Sequence, residues 1–342
     1  MRSSTVDTPL ALNIESWLFV VRSASRVQVS AGEVTEIVAG ALRGDAADAA
    51  VVSVAVVWAN LSGWPALGTD LLAREMAHAG TDDHSHNGTR ISGTTCAVDA
   101  TGQVGPMALA TACRLAGESA ANTGVGVTTL TGLTGTGRLA PYVASLAARG
   151  LIGIVALQSP PVVAPFGGSG RAIGTNPLAF AAPRGREKAL VVDLATASMS
   201  LAELARYTGS GTVLPVGTAL DVDGAPTRVA EDVFALLPDG LTSSLVGLLV
   251  ETLAGALSGQ PSADGGRGGF VLALAPPDHH DLATRIEEIA QRWNGAGGHV
   301  PGESVPLPTA NEPFDRTAQI DVDEHWWQGL AAGSKPETEE SV

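Results

Sequence analysis

The chain has 342 residues, 45% of them hydrophobic, which is enough to bury a substantial core in one large or two ordinary domains. With 20 basic against 35 acidic residues its formal net charge is -15, which argues against nucleic acid and anionic membrane surfaces as partners. Cys96 and Cys113 are too few for a disulfide framework and show no metal-ligand spacing, so they read as small buried hydrophobes in a cytoplasmic protein.

Residues 1–28 form an N-terminal extension. Asp7 and Glu15 interrupt its apolar residues, which makes it a poor signal peptide, and no apolar run in the chain reaches the roughly 18 residues of a membrane span. Ser30 with Glu33 reads as a capping box opening a helix to about residue 42, and 46–61 as an Ala-rich helix with Val51, Val54, Val57 and Trp58 along one stripe. Arg74, one turn after Leu71, could in principle lend a cation to a site there, but beside Glu75 an arginine is more often a solvated surface charge. In Asp82-Asp83-His84-Ser85-His86 the two histidines alternate as metal ligands can, but in a polar loop without a third fixed ligand, so no metal is expected.

From residue 91 the pattern alternates strands with helices of small residues: a strand over 91–99, a helix over 106–118, a buried strand over 125–130 and a helix continuing to 149. Between the last two, Gly135-x-Gly137-x-x-Ala140 matches a dinucleotide fingerprint, whose glycines let backbone N–H groups approach a pyrophosphate. The strand over 151–157 that follows ends in Gln158-Ser159, without the carboxylate that binds a ribose hydroxyl.

The densest signals lie between Gly167 and Ser200. Ala172-Ile173-Gly174-Thr175-Asn176-Pro177 reads as a Gly-hinged turn able to cradle a ligand, Leu178 to Ala181 as a strand ending at Pro183, and Ala189 to Val192 as a buried strand closed by Asp193. A carboxylate there, followed by Thr196 and Ser198, stands where open α/β sheets hold ligands, and equally where a helix N-cap would stand. Leu245, Leu248, Leu249, Val246 and Val250 make the next helix apolar nearly all round, a pattern that predicts burial between layers. Trp326 and Trp327 are expected to dock a C-terminal helix, and the polar tail over 333–342 to be disordered.

Gly174-Thr175-Asn176-Pro177-Leu178-Ala179-Phe180, with Val191-Val192-Asp193-Leu194-Ala195-Thr196, resembles the signature of the malate/L-lactate dehydrogenase family, which includes sulfolactate and ureidoglycolate dehydrogenases and the piperideine-2-carboxylate and pyrroline-2-carboxylate reductases. Gly268-Gly269-Phe270 and Pro301-Gly302-Glu303 extend the likeness, to about residues 30–332. The resemblance implies a three-layer α/β fold with a mixed sheet, distinct from the ordinary Rossmann fold. It implies a helical N-terminal region over 29–88 packing with 300–332, an α/β cofactor-type domain over 89–299, and dimers with the active site between subunits. It also implies an NAD(P)H cofactor and a small-molecule substrate, with Gly135, Gly137, Gly174, Thr175, Asn176 and Thr196 as the cofactor-binding set and Asp193 as the catalytic carboxylate.

Against the family pattern, the positions of two histidines, an arginine and a lysine fall on Leu67, Gly132, Leu71 and Thr242, while Leu130 and Asp239 replace a serine and a glycine. Neither Leu67 nor Leu71 can exchange a proton or pair with a carboxylate. Three readings follow: an active oxidoreductase using Asp193; a repurposed non-redox enzyme whose apolar cleft of Leu67, Leu71 and Leu130 takes an apolar substrate for cyclisation, isomerisation or dehydration; or a non-catalytic subunit, in a homodimer or a heterodimer with an active paralogue.

Overall fold

The computed structural model describes residues 25–79, 89–185, 188–260, 267–277, 281–301 and 314–333. The extension before Ser25, the Asp82–His86 stretch, Gly302-Glu303 and the tail after Gly333 lie outside the described residues.

Strand β1 (Arg26–Ser30) leads into helices α1 (Ala31–Ala41), α2 (Ala46–Leu61) and α3 (Thr69–His78). Short strand β2 (Thr89–Arg90) and β3 (Thr95–Asp99) precede α4 (Gly105–Thr123), β4 (Val125–Leu133), α5 (Ala140–Ala147) and β5 (Ile152–Leu157). A long connection carrying the Gly174 turn reaches the hairpin β6 (Leu178–Arg184) and β7 (Lys188–Leu194), then α6 (Leu201–Tyr207) and three two-residue strands, β8 (Ala219–Leu220), β9 (Pro226–Thr227) and β10 (Ala235–Leu236). Helix α7 (Gly240–Val250) runs on into a π-helical segment, Glu251–Ala256. The described fold ends with β11 (Arg267–Leu274), α8 (Leu282–Gly295), β12 (Gln319–Asp323) and α9 (Glu324–Ala331).

The main sheet has seven strands in the order β2-β3-β4-β11-β5-β6-β7, and it is mixed: β3 and β4 are parallel and the other neighbours antiparallel. Alternation along its central strands separates two faces. Val155, Leu157, Val271 and Ala273 enter one core with residues of α2, α4 and α5, while Ala156 and Phe270 turn the other way and meet Val250 and Ala254. Helices thus cover both sides of the sheet, giving the three layers expected. Strand β1 pairs antiparallel with β12 in register Val29↔Ile320, tying the start of the described chain to its end, and Trp326 and Trp327 are buried in the main core as the sequence predicts.

Local signals explain the element ends. Ser30 Oγ accepts from Glu33 N at 3.2 Å to open α1, and Asp45 caps α2 through Ala47 N. A complete capping box lies elsewhere, at Ser200 and Glu203. Strand β6 passes through Pro183 to Arg184 instead of stopping at the proline, and Arg184 Nε is held by Glu287 of α8 at 2.6 Å. Cys96 and Cys113 are both buried and free.

One expectation is overturned. Leu241, Leu245, Leu248 and Leu249 of α7 each keep more than half of their surface exposed, and only Gly247 and Val250 of this helix are buried. A small residue sets the contact: a Cβ on Gly247 would stand 2.9 Å from Ile173 Cδ1 and 3.0 Å from Thr196 Oγ1, so the helix lies on the Gly174 turn by its glycine face and turns its leucines outward.

Candidate functional site

A cleft of about 710 Å³ opens where α3, the loop after β4, the Gly174 turn and the end of β7 meet. Leu67, Leu71, Arg74 and Glu75 line it from the helical region. Thr134 to Leu139 supply the loop, and Ser159, Thr175, Pro177, Asp193, Leu194 and Arg267 supply the sheet side. Of the residues singled out by sequence, Gly135, Gly137, Thr175 and Asp193 are therefore brought together. Gly174, Asn176 and Thr196 stand behind the wall.

Asn176 is the one non-glycine residue with positive φ, 38°, among the described residues, a conformation Asn tolerates better than most. Its Oδ1 accepts from Ser159 N at 3.0 Å, and its Nδ2 donates to Gly247 O at 3.1 Å and Glu251 Oε2 at 2.9 Å. Fully buried and bonded on both sides, it ties the turn to α7 and presents nothing to the cleft. Thr196 Oγ1 is spent likewise on the carbonyls of Thr175 and Asn176. At Gly174 any Cβ would fall 2.4 Å from Ser159 O, so the glycine is required by the close approach of the turn to the end of β5.

Asp193 ends β7 and does cap a helix, though not the one that follows it. Its Oδ2 accepts from Leu139 N at 3.0 Å and Ala140 N at 3.1 Å, at the start of α5, whose own N-cap residue makes no side-chain bond. Arg138 Nε lies 3.8 Å from the same oxygen, and its guanidinium stacks over Trp58 at 4.7 Å. The other oxygen, Oδ1, takes no hydrogen bond from the described residues. Burial pushes the Asp193 carboxyl above the usual carboxylate range, against the opposing pull of Arg138 and the two N–H groups.

Glu75, absent from the sequence expectations, is the second buried carboxylate. It accepts from Gly135 N at 2.9 Å, from Gly105 N at 3.3 Å at the start of α4, and from Thr134 Oγ1. A signal for it exists: Glu75 follows Leu71 and Leu72 by one turn, which puts it on the buried face of α3. These two carboxylates already hold the N–H groups of Gly135, Leu139 and Ala140, the donors that a pyrophosphate would take at the dinucleotide fingerprint. Gly137 has φ 77°, and its Cβ would lie 2.6 Å from Leu67 O. Gly135 and Gly137 thus let the loop press against α3 and the 3₁₀ turn before it.

Two of the three leucines read as an apolar lining stand at the cleft. Leu67 and Leu71 line it, but Leu130 is fully buried in the main core. Arg74 is half-buried in the wall, not solvated, and its charge is disfavoured by burial while Glu75 and Asp70 support it. Arg267 reaches the same place from β11, because the register Arg267↔Leu133 sets it beside Thr134, whose carbonyl accepts from its Nη1 at 3.1 Å. Burial weighs against the Arg267 charge most, Glu75 supports it, and Arg74 opposes it.

Gly132, near the end of β4, leaves little room for a side chain. This glycine has φ 66°, and a Cβ there would come within 2.3 Å of Thr101 Oγ1. Asp239 and Thr242 are exposed at the start of α7, away from the cleft lining. Among the described residues no group of three potential metal ligands gathers, and no helix is long and apolar enough to cross a membrane.

Comparison with known proteins agrees with this architecture. The chain superposes on the crystal structure of delta1-piperideine-2-carboxylate reductase from Pseudomonas syringae pv. tomato with a TM-score of 0.76 at 24% identity, covering 90% of this chain and 100% of that one. In sequence it is 32% identical over 232 residues to a Delta(1)-pyrroline-2-carboxylate/Delta(1)-piperideine-2-carboxylate reductase of the same organism, covering 62% of this chain and 68% of that protein. It is 38% identical over 159 residues to a malate dehydrogenase of Pyrococcus abyssi, of whose length the chain spans 44%. The profile described as malate/L-lactate dehydrogenase matches residues 29–331. The chain belongs to the malate/L-lactate dehydrogenase family, a family of dehydrogenases and reductases.

Proposed function

We propose that this chain is a cytoplasmic NAD(P)H-dependent reductase of a small carboxylic acid bearing a C=O or C=N bond, with Asp193 as the proton donor. The observation that carries the reading is the state of Asp193. One oxygen is fixed by two backbone N–H groups, the other is unbonded in the wall of a cleft, and burial favours its protonated form. A carboxylic acid held this way can pass its proton to a substrate oxygen or nitrogen as charge develops there. The carboxylate left behind is stabilised by Leu139 N, Ala140 N and the Arg138 guanidinium, and it regains a proton from solvent.

Ser159, Thr175, Pro177, Leu194 and Ala195 offer a wall for the nicotinamide, and the volume of the cleft suits a ligand of that size. When bound, NAD(P)H supplies the hydride. Gly135, Leu139 and Ala140 N are already bonded to Glu75 and Asp193, so its phosphates are assigned away from those three donors. Leu67, Leu71 and Leu139 thin the water around the reacting bond. The charged groups of the lining weigh against the alternative of an apolar substrate and non-redox chemistry.

The reading extends to assembly: a second copy of the chain covers the apolar face of α7. Leu241, Leu245, Leu248 and Leu249 recur at helical spacing, and a contiguous exposed strip of that kind marks an interface. This helix holds Asn176 through Gly247 O, so pairing there would also stiffen the turn behind the cleft.

Oxidation of NADPH, followed by absorbance with 2-oxo acids and cyclic imino acids as substrates, tests the proposal. Turnover that drops at least about 10²-fold in Asp193→Asn supports it. A wild-type protein that neither binds NADH or NADPH nor turns over any member of the panel sinks it.

A further inference from the structure

Two buried side-chain amides converge on one carboxyl group behind the cleft. Gln158 Nε2 donates to Glu251 Oε1 at 2.7 Å, and Asn176 Nδ2 donates to Glu251 Oε2 at 2.9 Å. Backbone N–H groups fix which way both amides face. Gly268 N donates to Gln158 Oε1 at 2.9 Å and Ser159 N donates to Asn176 Oδ1 at 3.0 Å, so each amide turns its NH2 group toward Glu251. The position calls for a side chain that accepts at both of its end atoms, which among side chains only Asp and Glu do.

Glu251, Gln158 and Asn176 stand outside the cleft lining, but the segments they join supply it. Ser159 follows Gln158, Thr175 and Pro177 flank Asn176, and Arg267 precedes Gly268. The carboxyl group thereby spaces the end of β5, the Gly174 turn and the start of β11 relative to one another. Glu251 opens the π-helical segment, which lies so close on β11 that a Cβ at Gly268 would fall 1.7 Å from Ala254 O. Packing this tight gives the carboxyl group little freedom to follow a displaced partner. An amide at position 251 would turn an NH2 group on Gln158 or on Asn176. Whichever of the two rotated away would release Gly268 N or Ser159 N.

We propose that Glu251 is a positioning residue for the cofactor: by accepting from Gln158 and Asn176 on its two oxygens, it holds three cleft-lining segments at the spacing that NAD(P)H binding requires. This rests on the reading of the cleft as a nicotinamide site.

The test compares the full-length wild type with Glu251→Gln, with Gln158→Glu, and with the two changes combined. In the combined variant the amide at 251 donates to the carboxyl group at 158 and still accepts from Asn176, and the carboxyl group at 158 still accepts from Gly268 N. The same contacts are remade with donor and acceptor exchanged. NADPH affinity is read by calorimetry, kcat and KM with the 2-oxo acids and cyclic imino acids, and folding by thermal melts. Each single variant is expected to bind NADPH at least about tenfold more weakly, the scale of one buried hydrogen bond left unmade. The kcat at saturating NADPH is expected to stay within about threefold of wild type, because Leu139 N and Ala140 N hold Asp193 independently of Glu251. The combined variant is expected to recover most of the lost affinity. Single variants that are folded and bind NADPH normally overturn the proposal, and so does a combined variant that binds no better than they do. If the single variants do not fold, the combined variant carries the test: folding with NADPH affinity within about threefold of wild type supports the proposal, and failure to fold or to bind overturns it. A wild type that binds no NADPH removes the reductase reading and this proposal with it, whereas binding by the wild type that folded single variants match removes the proposal alone.

Discussion

Asp193 Oδ2 accepts from Ala140 N at 3.1 Å, so the last turn of one strand closes the first turn of a helix that precedes it in the chain by several elements. That bond fixes one carboxyl oxygen at the start of α5 and leaves the other for chemistry. Asp193→Asn keeps an amide oxygen for the two N–H groups but has no acid proton to give. Its reductive kcat is expected to fall at least about 10²-fold with little change in melting temperature. Asp193→Ala removes the cap as well and is expected to cost about 1 kcal/mol in denaturant unfolding.

The raised Asp193 pKa sets the direction of two pH effects. Reduction needs the protonated acid, so the wild-type rate falls as pH rises through the folded-state pKa, and a rate profile that keeps this limb in Asp193→Asn would exclude Asp193 as its source. For stability, a carboxyl whose folded pKa lies above its unfolded value contributes stability that is fully present below the unfolded pKa and lost as pH rises through the folded one. Melting temperatures of wild type relative to Asp193→Asn are expected to decline over that window.

Glu75→Ala is expected to be among the most damaging single changes in the cleft. It strips the acceptor from Gly135 N and Gly105 N and leaves Arg74 and Arg267 facing each other without their shared counter-charge. The loss of a buried, bonded carboxylate between cations is expected to cost about 3 to 5 kcal/mol, read by urea unfolding.

Gly174→Ala forces a methyl group into the Ser159 carbonyl, and because the obstacle is backbone, the turn itself must move. A loss of about 2 to 4 kcal/mol is expected, together with weaker binding of NADPH through displacement of Thr175. Urea midpoints paired with NADPH titrations check both effects.

Leu245→Glu with Leu249→Glu places charge on the exposed face of α7, where neither side chain supports the monomer core. Light scattering is expected to find a dimer for the wild type and a monomer for the double variant, with the melting temperature lowered only by loss of the partner.

The amino-acid sequence by itself determined the alternation of helices and strands, the family signature around Asn176 and Asp193, the buried cysteines and the docking of Trp326 and Trp327. Each of these is recorded in local spacing or in a short run of residue types. Leu130 and α7 mark where that record ends, because an apolar side chain is equally at home in a core, a cleft wall or an unpaired face. Only the tertiary structure decided which. It also decided the charge of the cleft: Arg267 joins Arg74 through the pairing of β11 with β4, and Glu75 and Asp193 cap helices to which nothing in their neighbouring sequence refers. Electrostatic partners act through space, and their separations are set by strand register and helix packing, which no local pattern of residues encodes.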